Sequence, residues 1–469
     1  MDGNLNANNN TIPNIVNEFE AMSQNGGLNL LHEKDFIELI LYFEKELMLD
    51  KALEITDLAL ERFSYIPDLF LKKAQILIAL NNTSEAFEAL DQALMLAPAE
   101  NEAKLMKANC LIMDKAYDDA FSMLSDIMVS GSYKERLSAS LLKANIHEIL
   151  KDYNQMFTHI KFVLDLEPGN EPAMEKLWSY MEAQRSYHQG INYLNQLLNN
   201  DPYAYLAWYN LGQAYSCIGE YENAIAAYEY SFIIQPSFEL GYKDCADLAF
   251  QLCKYKFALK VYSDALENLG PDSEVFACIG ECYLKLKQYR LARLNFRKSN
   301  RLDPYNDEVH YNLGICFAAE HKYEIALQHY FKALKIEDCR EEYFAAAAEA
   351  FYKIGEVDKA NYYFIKATEI GGDIPEIWFA HAKFLYEIEE YQKSLEILEE
   401  ADEYTYSAEL LYIKVLTLVA LDRKDEASEI LKEALSEDYE THRILFQINP
   451  NLKDDAEMTS IINYFQPED

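Results

Sequence analysis

Cys278 and Cys282 stand four residues apart, a spacing that would bring two sulfurs to one helix face and make half of a zinc site. No second Cys or His pair follows at finger spacing, so two small buried residues are the better account of them. The other cysteines of the eight are scattered without a framework of spaced pairs, which fits free thiols in a reducing compartment. There is no glycine-rich phosphate loop, no Gly-x-Ser-x-Gly elbow and no His-Glu-x-x-His. Phosphoryl transfer, acyl transfer and zinc hydrolysis thus lack their basic parts. The expectation is a protein without catalytic residues, cofactor or metal.

Charge is the next candidate for chemistry. Lys73, Lys107 and Lys143 recur at nearly constant spacing, and Lys414 takes the same place farther on. Such a ladder would suit an acidic segment. The competing account is that the stems pack and the ammonium groups reach nearby carboxylates. The run from Glu387 to Glu403 holds eight acids and one lysine, which suits either a basic partner or a solvated helix pair. The whole chain has 79 acidic and 42 basic residues, a net charge of −37. That balance repels phosphate backbones and anionic lipid heads, so neither nucleic acid nor membrane is expected as a partner. No apolar run reaches the roughly 18 residues of a membrane span. Residues 1–28 lack the basic and apolar regions of a signal peptide, and the expected location is cytoplasmic.

Any site in this chain must be positioned by its internal period. Residues 205–238 contain Trp208, Leu211, Gly212, Tyr215, Tyr221, Ala224, Tyr228 and Pro236. Two steps of 34 residues onward stand Phe276, Ile279, Gly280, Tyr283, Tyr289, Ala292, Phe296 and Pro304. The next step gives Leu313, Gly314, Phe317, Tyr323, Ala326 and Tyr330. Apolar residues also recur at three- and four-residue spacing, as on one helix face. These positions resemble the tetratricopeptide repeat, and the resemblance covers residues 33 to about 441. It implies an all-α fold, an α-α superhelical solenoid of about twelve repeats. The units are expected to start at 33, 67, 101, 137, 171, 205, 239, 273, 307, 341, 375 and 408. Two extra residues precede 137 and the unit at 375 is one short, both changes being expected in turns. The aromatic-rich stretch YAYLAWYNLGQAYSCIGEYENAIAAYEYSF and the tail ILFQINPNLKDDAEM are similar to cytoplasmic repeat arrays of Bacteroidetes-type bacteria.

Small residues at the eighth and twentieth positions would let the two helices of a unit approach closely. Large residues at the fourth, eleventh, seventeenth and twenty-fourth would fill the remaining space. His310 takes the place that Trp208 has in its own unit, which suggests packing. Residues 1–32 are rich in Asn and offer little to bury, so a largely disordered segment is expected there. From 442 to 469 a capping helix and tail are expected, with Met458, Ile461, Ile462 and Phe465 on one face.

In this repeat family the first helix of each unit lines an inner groove. The resemblance therefore implies a peptide-binding groove that includes Tyr209, Asn210, Gln213, Lys243, Phe250, Tyr311, Asn312, Tyr352, Phe379 and Tyr386. Aromatic rings interleaved with amides and charge suit an extended peptide. The family's clamp for the carboxylates of chaperone tails is not met. Glu175 and Ser179 precede Asn210 while Leu240 and Asp244 follow it; Asn312 is flanked by Ala277, Glu281, Glu342 and Ala346. The expected function is a scaffold or adaptor that binds a segment of a partner protein. The alternative is a chaperone-like holder of unassembled subunits, and self-association through exposed ends or groove edges stays open.

Overall fold

The structure, a computed structural model, describes residues 32–466. It divides into two compact units, one up to Gln235 and one from Pro236. The described residues contain 26 α-helices, and the first 24 form twelve hairpin pairs. In the first unit the pairs are α1 (Glu33–Lys45) with α2 (Leu49–Arg62), α3 (Pro67–Ala79) with α4 (Thr83–Leu96), and α5 (Asn101–Met113) with α6 (Tyr117–Ser130). They continue with α7 (Tyr133–Ile149) and α8 (Tyr153–Leu166), α9 (Glu171–Gln184) and α10 (Tyr187–Asn200), and α11 (Tyr205–Cys217) and α12 (Tyr221–Ile234). The second unit begins with α13 (Glu239–Gln251) and α14 (Tyr255–Leu269), α15 (Ser273–Lys285) and α16 (Tyr289–Leu302), and α17 (Asp307–Ala318) and α18 (Tyr323–Ile336). It goes on with α19 (Glu341–Lys353) and α20 (Val357–Ile370), α21 (Pro375–Glu387) and α22 (Tyr391–Ala401), and α23 (Ala408–Ala420) and α24 (Lys424–Glu437).

One turn design joins the helices within every pair. A residue with positive φ follows the first helix: Leu47, Asn81, Lys115, Lys151, Arg185, Gly219, Cys253, Lys287, His321, Gly355, Glu389 and Asp422. The next residue's N–H reaches back five residues, as from Met48 to the Phe43 carbonyl and from Gln288 to the Tyr283 carbonyl, both at 2.8 Å. This is the Schellman ending, which satisfies carbonyls that a helix terminus leaves open. Only Gly219 and Gly355 among the twelve are glycine. The other ten hold a conformation that a Cβ disfavours.

The inside of each pair is set by size. Ala52, Ala86, Ala120, Ala224, Ala258, Ala292, Ala326 and Ala360, at the twentieth position, are fully buried. At the eighth position Gly212 faces Tyr228, Gly280 faces Phe296 and Gly314 faces Tyr330, so closely that a Cβ would collide with each ring. The two helices thus approach until ring and backbone touch, which gives interior packing density without a third layer.

Successive first helices touch one another, as α7 does α9 and α9 does α11 in the first unit, and α17 does α19 and α19 does α21 in the second. Among the described residues the second helices make no comparable contact with each other. Within each unit the row of first helices is therefore the inner side of the curve.

Both register changes alter a helix together with the turn beside it. The helix α7 starts at Tyr133, ahead of the expected 137. The cause is a capping box: Ser132 Oγ accepts the Glu135 N–H, and Glu135 Oε2 accepts the Ser132 N–H at 2.6 Å. The helix α22 has 11 residues where α20 and α24 have 14. It ends among Glu399, Glu400, Asp402 and Glu403, whose charges oppose the negative end of the helix dipole.

After α24 come two short segments of 3₁₀-helix, with α25 (Arg443–Ile448) between them, and then α26 (Ala456–Tyr464). Leu445, Leu452, Met458 and Ile462 are buried against α23 and α24, with Ile461 and Phe465 partly covered beside them. The expected N-terminal disordered segment falls on residues outside the described ones, except for His32.

Candidate functional site

In the first unit the inner row places three of the candidate residues on α11. Asn210 is buried, and its Nδ2 donates to the main-chain carbonyl of Met174 at 2.9 Å. It joins one pair to the preceding one. Tyr209 is half-buried against the ring of Tyr228, and Gln213 Nε2 donates to its hydroxyl at 3.3 Å. This ring and amide form a joined polar edge at the helix surface.

In the second unit the inner row carries a cavity of about 200 Å³ between α13, α14 and α15. Tyr242, Tyr262 and Cys278 form walls, and Glu239, Asp247, Asp272 and Glu274 bring four carboxylates against the single base, Lys243. Lys243 Nζ pairs with Glu274 at 2.8 Å, and that hydrogen bond raises its pKa. Tyr262 donates its hydroxyl to Asp247, and burial raises its pKa. Burial likewise pushes the Cys278 and Cys282 thiols up to about 12 each, so both are held protonated. The carboxylates around Cys278 disfavour a thiolate there, in the same direction as burial. The cavity's net negative lining and aromatic walls suit a cationic side chain.

Farther along the same row, Asn312 Nδ2 donates to Glu281 Oε1 at 3.3 Å. Burial and the neighbouring Glu308 raise the Glu281 carboxyl, and burial raises that of Glu349. Tyr311 lies between Tyr343 and Tyr330, with ring centroids at 4.6 and 5.9 Å, and burial pushes its pKa up to about 12. Tyr352 packs edge-on to Phe384 at 5.2 Å. Phe250 packs edge-on to Tyr255, also at 5.2 Å. Phe379 packs on the C-terminal cluster, and Tyr386 accepts from Asn449 Nδ2 at 3.3 Å. These last two are engaged by their own chain. The structure brings Lys243 to the cavity and aligns Tyr311, Asn312 and Tyr352 along the row beyond it.

Tyr242 and Tyr262 escaped the sequence reading. Tyr262 has the twenty-fourth position of its unit, where large residues read as packing, and only the fold shows its hydroxyl turned to Asp247. Asp247 and Glu281 carried a signal, being acids at first-helix positions that face the row.

The lysine ladder divides. Lys73 pairs with Asp57 at 2.7 Å, Lys107 with Asp91, and Lys414 with Asp402 at 2.6 Å. Lys143 finds Ser125 at 2.9 Å where its predecessors find aspartate. Burial lowers its pKa. His310 is buried beside His329, and burial lowers the pKa of both, to about 4 for His329. The indoles of Trp208 and Trp378 donate to carbonyls six residues back, those of Pro202 and Gly372, at 2.9 and 2.8 Å. His310 stands at the same place with a bond to Pro304, so it packs as its position implies.

No helix among the described residues is long and apolar enough to cross a membrane. The profile of the tetratricopeptide repeat matches residues 71–125 and 176–236. Tetratricopeptide repeat protein 37 of Xenopus laevis is 21% identical over 283 residues, which cover 50% of this chain and 18% of that protein. The peroxisomal targeting signal receptor of Kluyveromyces lactis is 26% identical over 201 residues, 42% of this chain and 35% of the receptor. The chain thus matches about a fifth to a third of the length of these relatives. Among solved structures, a tetratricopeptide repeat protein from Parabacteroides merdae is 16% identical, with a TM-score of 0.43, over 52% of this chain and 98% of its own. Twelve helix pairs of one design and two profile matches lead to one conclusion: the chain carries tetratricopeptide repeats.

Proposed function

We propose that this protein is a non-enzymatic scaffold whose inner row in the second unit binds an extended segment of a partner protein. The observation that carries the reading is the cavity of about 200 Å³ with four carboxylates and one lysine at its lining. A cationic side chain of the partner would enter there and meet Asp247 and Glu274, displacing Lys243 from its pair. Tyr311, Asn312 and Tyr352 would then offer rings and an amide to the rest of the segment. The buried, raised carboxyls of Glu281 and Glu349 support the same polarity, since a cation nearby would relieve their desolvation. The Kluyveromyces lactis relative is by name a receptor for a targeting signal, which agrees in kind with recognition of a segment.

Selection from a displayed random-peptide library against the whole chain tests this. Enrichment of Lys- or Arg-containing peptides is expected, with at least about tenfold weaker binding to Asp247→Asn and Glu274→Gln. No enrichment, or peptides that bind these variants as well as the wild type, would overturn the reading.

A further inference from the structure

The second helices of three successive pairs invert the charge of the molecule. The helices α14, α16 and α18 together carry nine cations: Lys256, Lys260, Arg290, Arg293, Arg297, Lys298, Arg301, Lys332 and Lys335. They carry three acids, Asp264, Glu267 and Glu324, and α16 itself has none. Their first-helix partners α13, α15 and α17 have the opposite balance, seven acids against two lysines. In a chain of net charge −37 this is a basic strip beside an acidic row.

The strip is not consumed by internal pairing. Arg293 alone of the nine makes an ion pair among the described residues, with Glu320. Arg290, Arg297, Lys298 and Arg301 are exposed. Apolar side chains stand among them: Leu294 and Leu302 are each 52% exposed and Leu291 is 40% exposed. Arg290, Leu294, Arg297 and Arg301 follow one another at four- and three-residue steps, so they share a single face of α16. Ile325, Phe331 and Ile336 extend the exposed apolar surface onto α18.

We propose that this face of α16, flanked by α14 and α18, docks an acidic amphipathic helical segment of a partner protein. Charge and apolar area choose the occupant together. A phosphate backbone would meet the arginines but leave the leucines in water, and the remaining charge of the chain would repel it. An anionic membrane would cover the leucines but bring a wide charged surface against an acidic body. A second copy presenting its acidic run from Glu387 to Glu403 would bring no large exposed apolar side chain from that run to the leucines. A helix with Asp or Glu beside Leu-type residues satisfies both demands. This surface is separate from the inner row and does not depend on what that row binds.

The probe is a labelled peptide of leucine and glutamate at helical spacing, roughly 16 residues long to span the ~21 Å of α16. Titration uses the whole chain and the triple variant Arg290→Glu/Arg297→Glu/Arg301→Glu, with circular dichroism confirming equal helicity. Binding that weakens with salt, and weakens at least about tenfold in the triple variant and measurably in Leu294→Ser, is expected. Absence of binding, or equal binding by the triple variant, would overturn the proposal. So would preference for single-stranded DNA or for phosphatidylserine vesicles over the peptide. Sedimentation showing a dimer that the triple variant dissolves would assign the face to a second copy and overturn it as well.

Discussion

The side-chain amide of Asn210 donates to the main-chain carbonyl of Met174 at 2.9 Å and so joins two first helices that lie one pair apart. The Met174 carbonyl lies within α9 and keeps its helical partner, so losing the amide costs the net worth of one hydrogen bond, about 0.5–1.5 kcal/mol. Asn210→Ala should therefore lower the urea midpoint and loosen amide protection in α9 and α11, while a peptide bound at the second unit's cavity keeps its affinity. Unchanged stability would mean that this bond does not hold the two pairs together.

Gly280 and Phe296 meet with no space between them, since a Cβ on Gly280 would lie 2.5 Å from Phe296 Cε1. Gly280→Ala should cost about 1–3 kcal/mol by forcing the ring or the helix aside. Adding Phe296→Leu should return part of that loss, a coupling that a double-mutant cycle reads directly.

The twelve Schellman turns predict opposite effects of glycine. Lys287 has φ of 57°, and Lys287→Gly should stabilise the second unit by up to about 1 kcal/mol. Gly355 has φ of 87°, and Gly355→Ala should destabilise by a similar amount or more. Urea midpoints that move the other way would mean that neighbouring packing, and not the turn, dominates.

His381 is buried against Phe364, and burial lowers its pKa from 6.5 to about 4. The unfolded chain then takes up a proton below pH 6.5 that the folded chain refuses. This contribution to stability is present above that pH and is lost as pH falls from 6.5 towards 4, amounting to about 3 kcal/mol at most. Its Nε2 lies 3.2 Å from Asn361 Oδ1, so His381→Gln can keep a donor there while removing the titration. The variant should show a smaller fall in urea midpoint between pH 7 and pH 5 than the wild type. Equal falls would place the pH dependence elsewhere.

Lys143 has Ser125 where Lys107 has Asp91 and Lys73 has Asp57. Ser125→Asp should restore the pair, raise the pKa of Lys143 and stabilise the first unit by up to about 1 kcal/mol, less at high salt. A gain independent of salt would argue against an ion pair.

The repeat positions were readable in the chain because a stack of identical hairpins imposes the same steric demand every 34 residues. Small residues must stand where two helices cross, whichever pair is considered. The buried alanines at the twentieth position and the glycines against Tyr228, Phe296 and Tyr330 answer that demand, and a linear pattern suffices to reveal it. The start of α7 and the short α22 were less legible, because a capping box and a cluster of acids at a helix end act locally and interrupt the period. The turn residues escaped altogether. Their left-handed backbone is imposed by the hairpin on Leu47, Lys115 or His321, none of which is chosen for that conformation. Nor could one chain of letters tell which polar groups the fold would use up. Asn210 and Asn312 have the same place in their units, yet one is spent on a carbonyl and the other lies beside a buried carboxylate. The cavity at Tyr262 and the basic face of α16 likewise exist only once helices distant in sequence lie side by side. Period and packing belong to the sequence because they repeat; the availability of each polar group belongs to the tertiary structure because its neighbours do not.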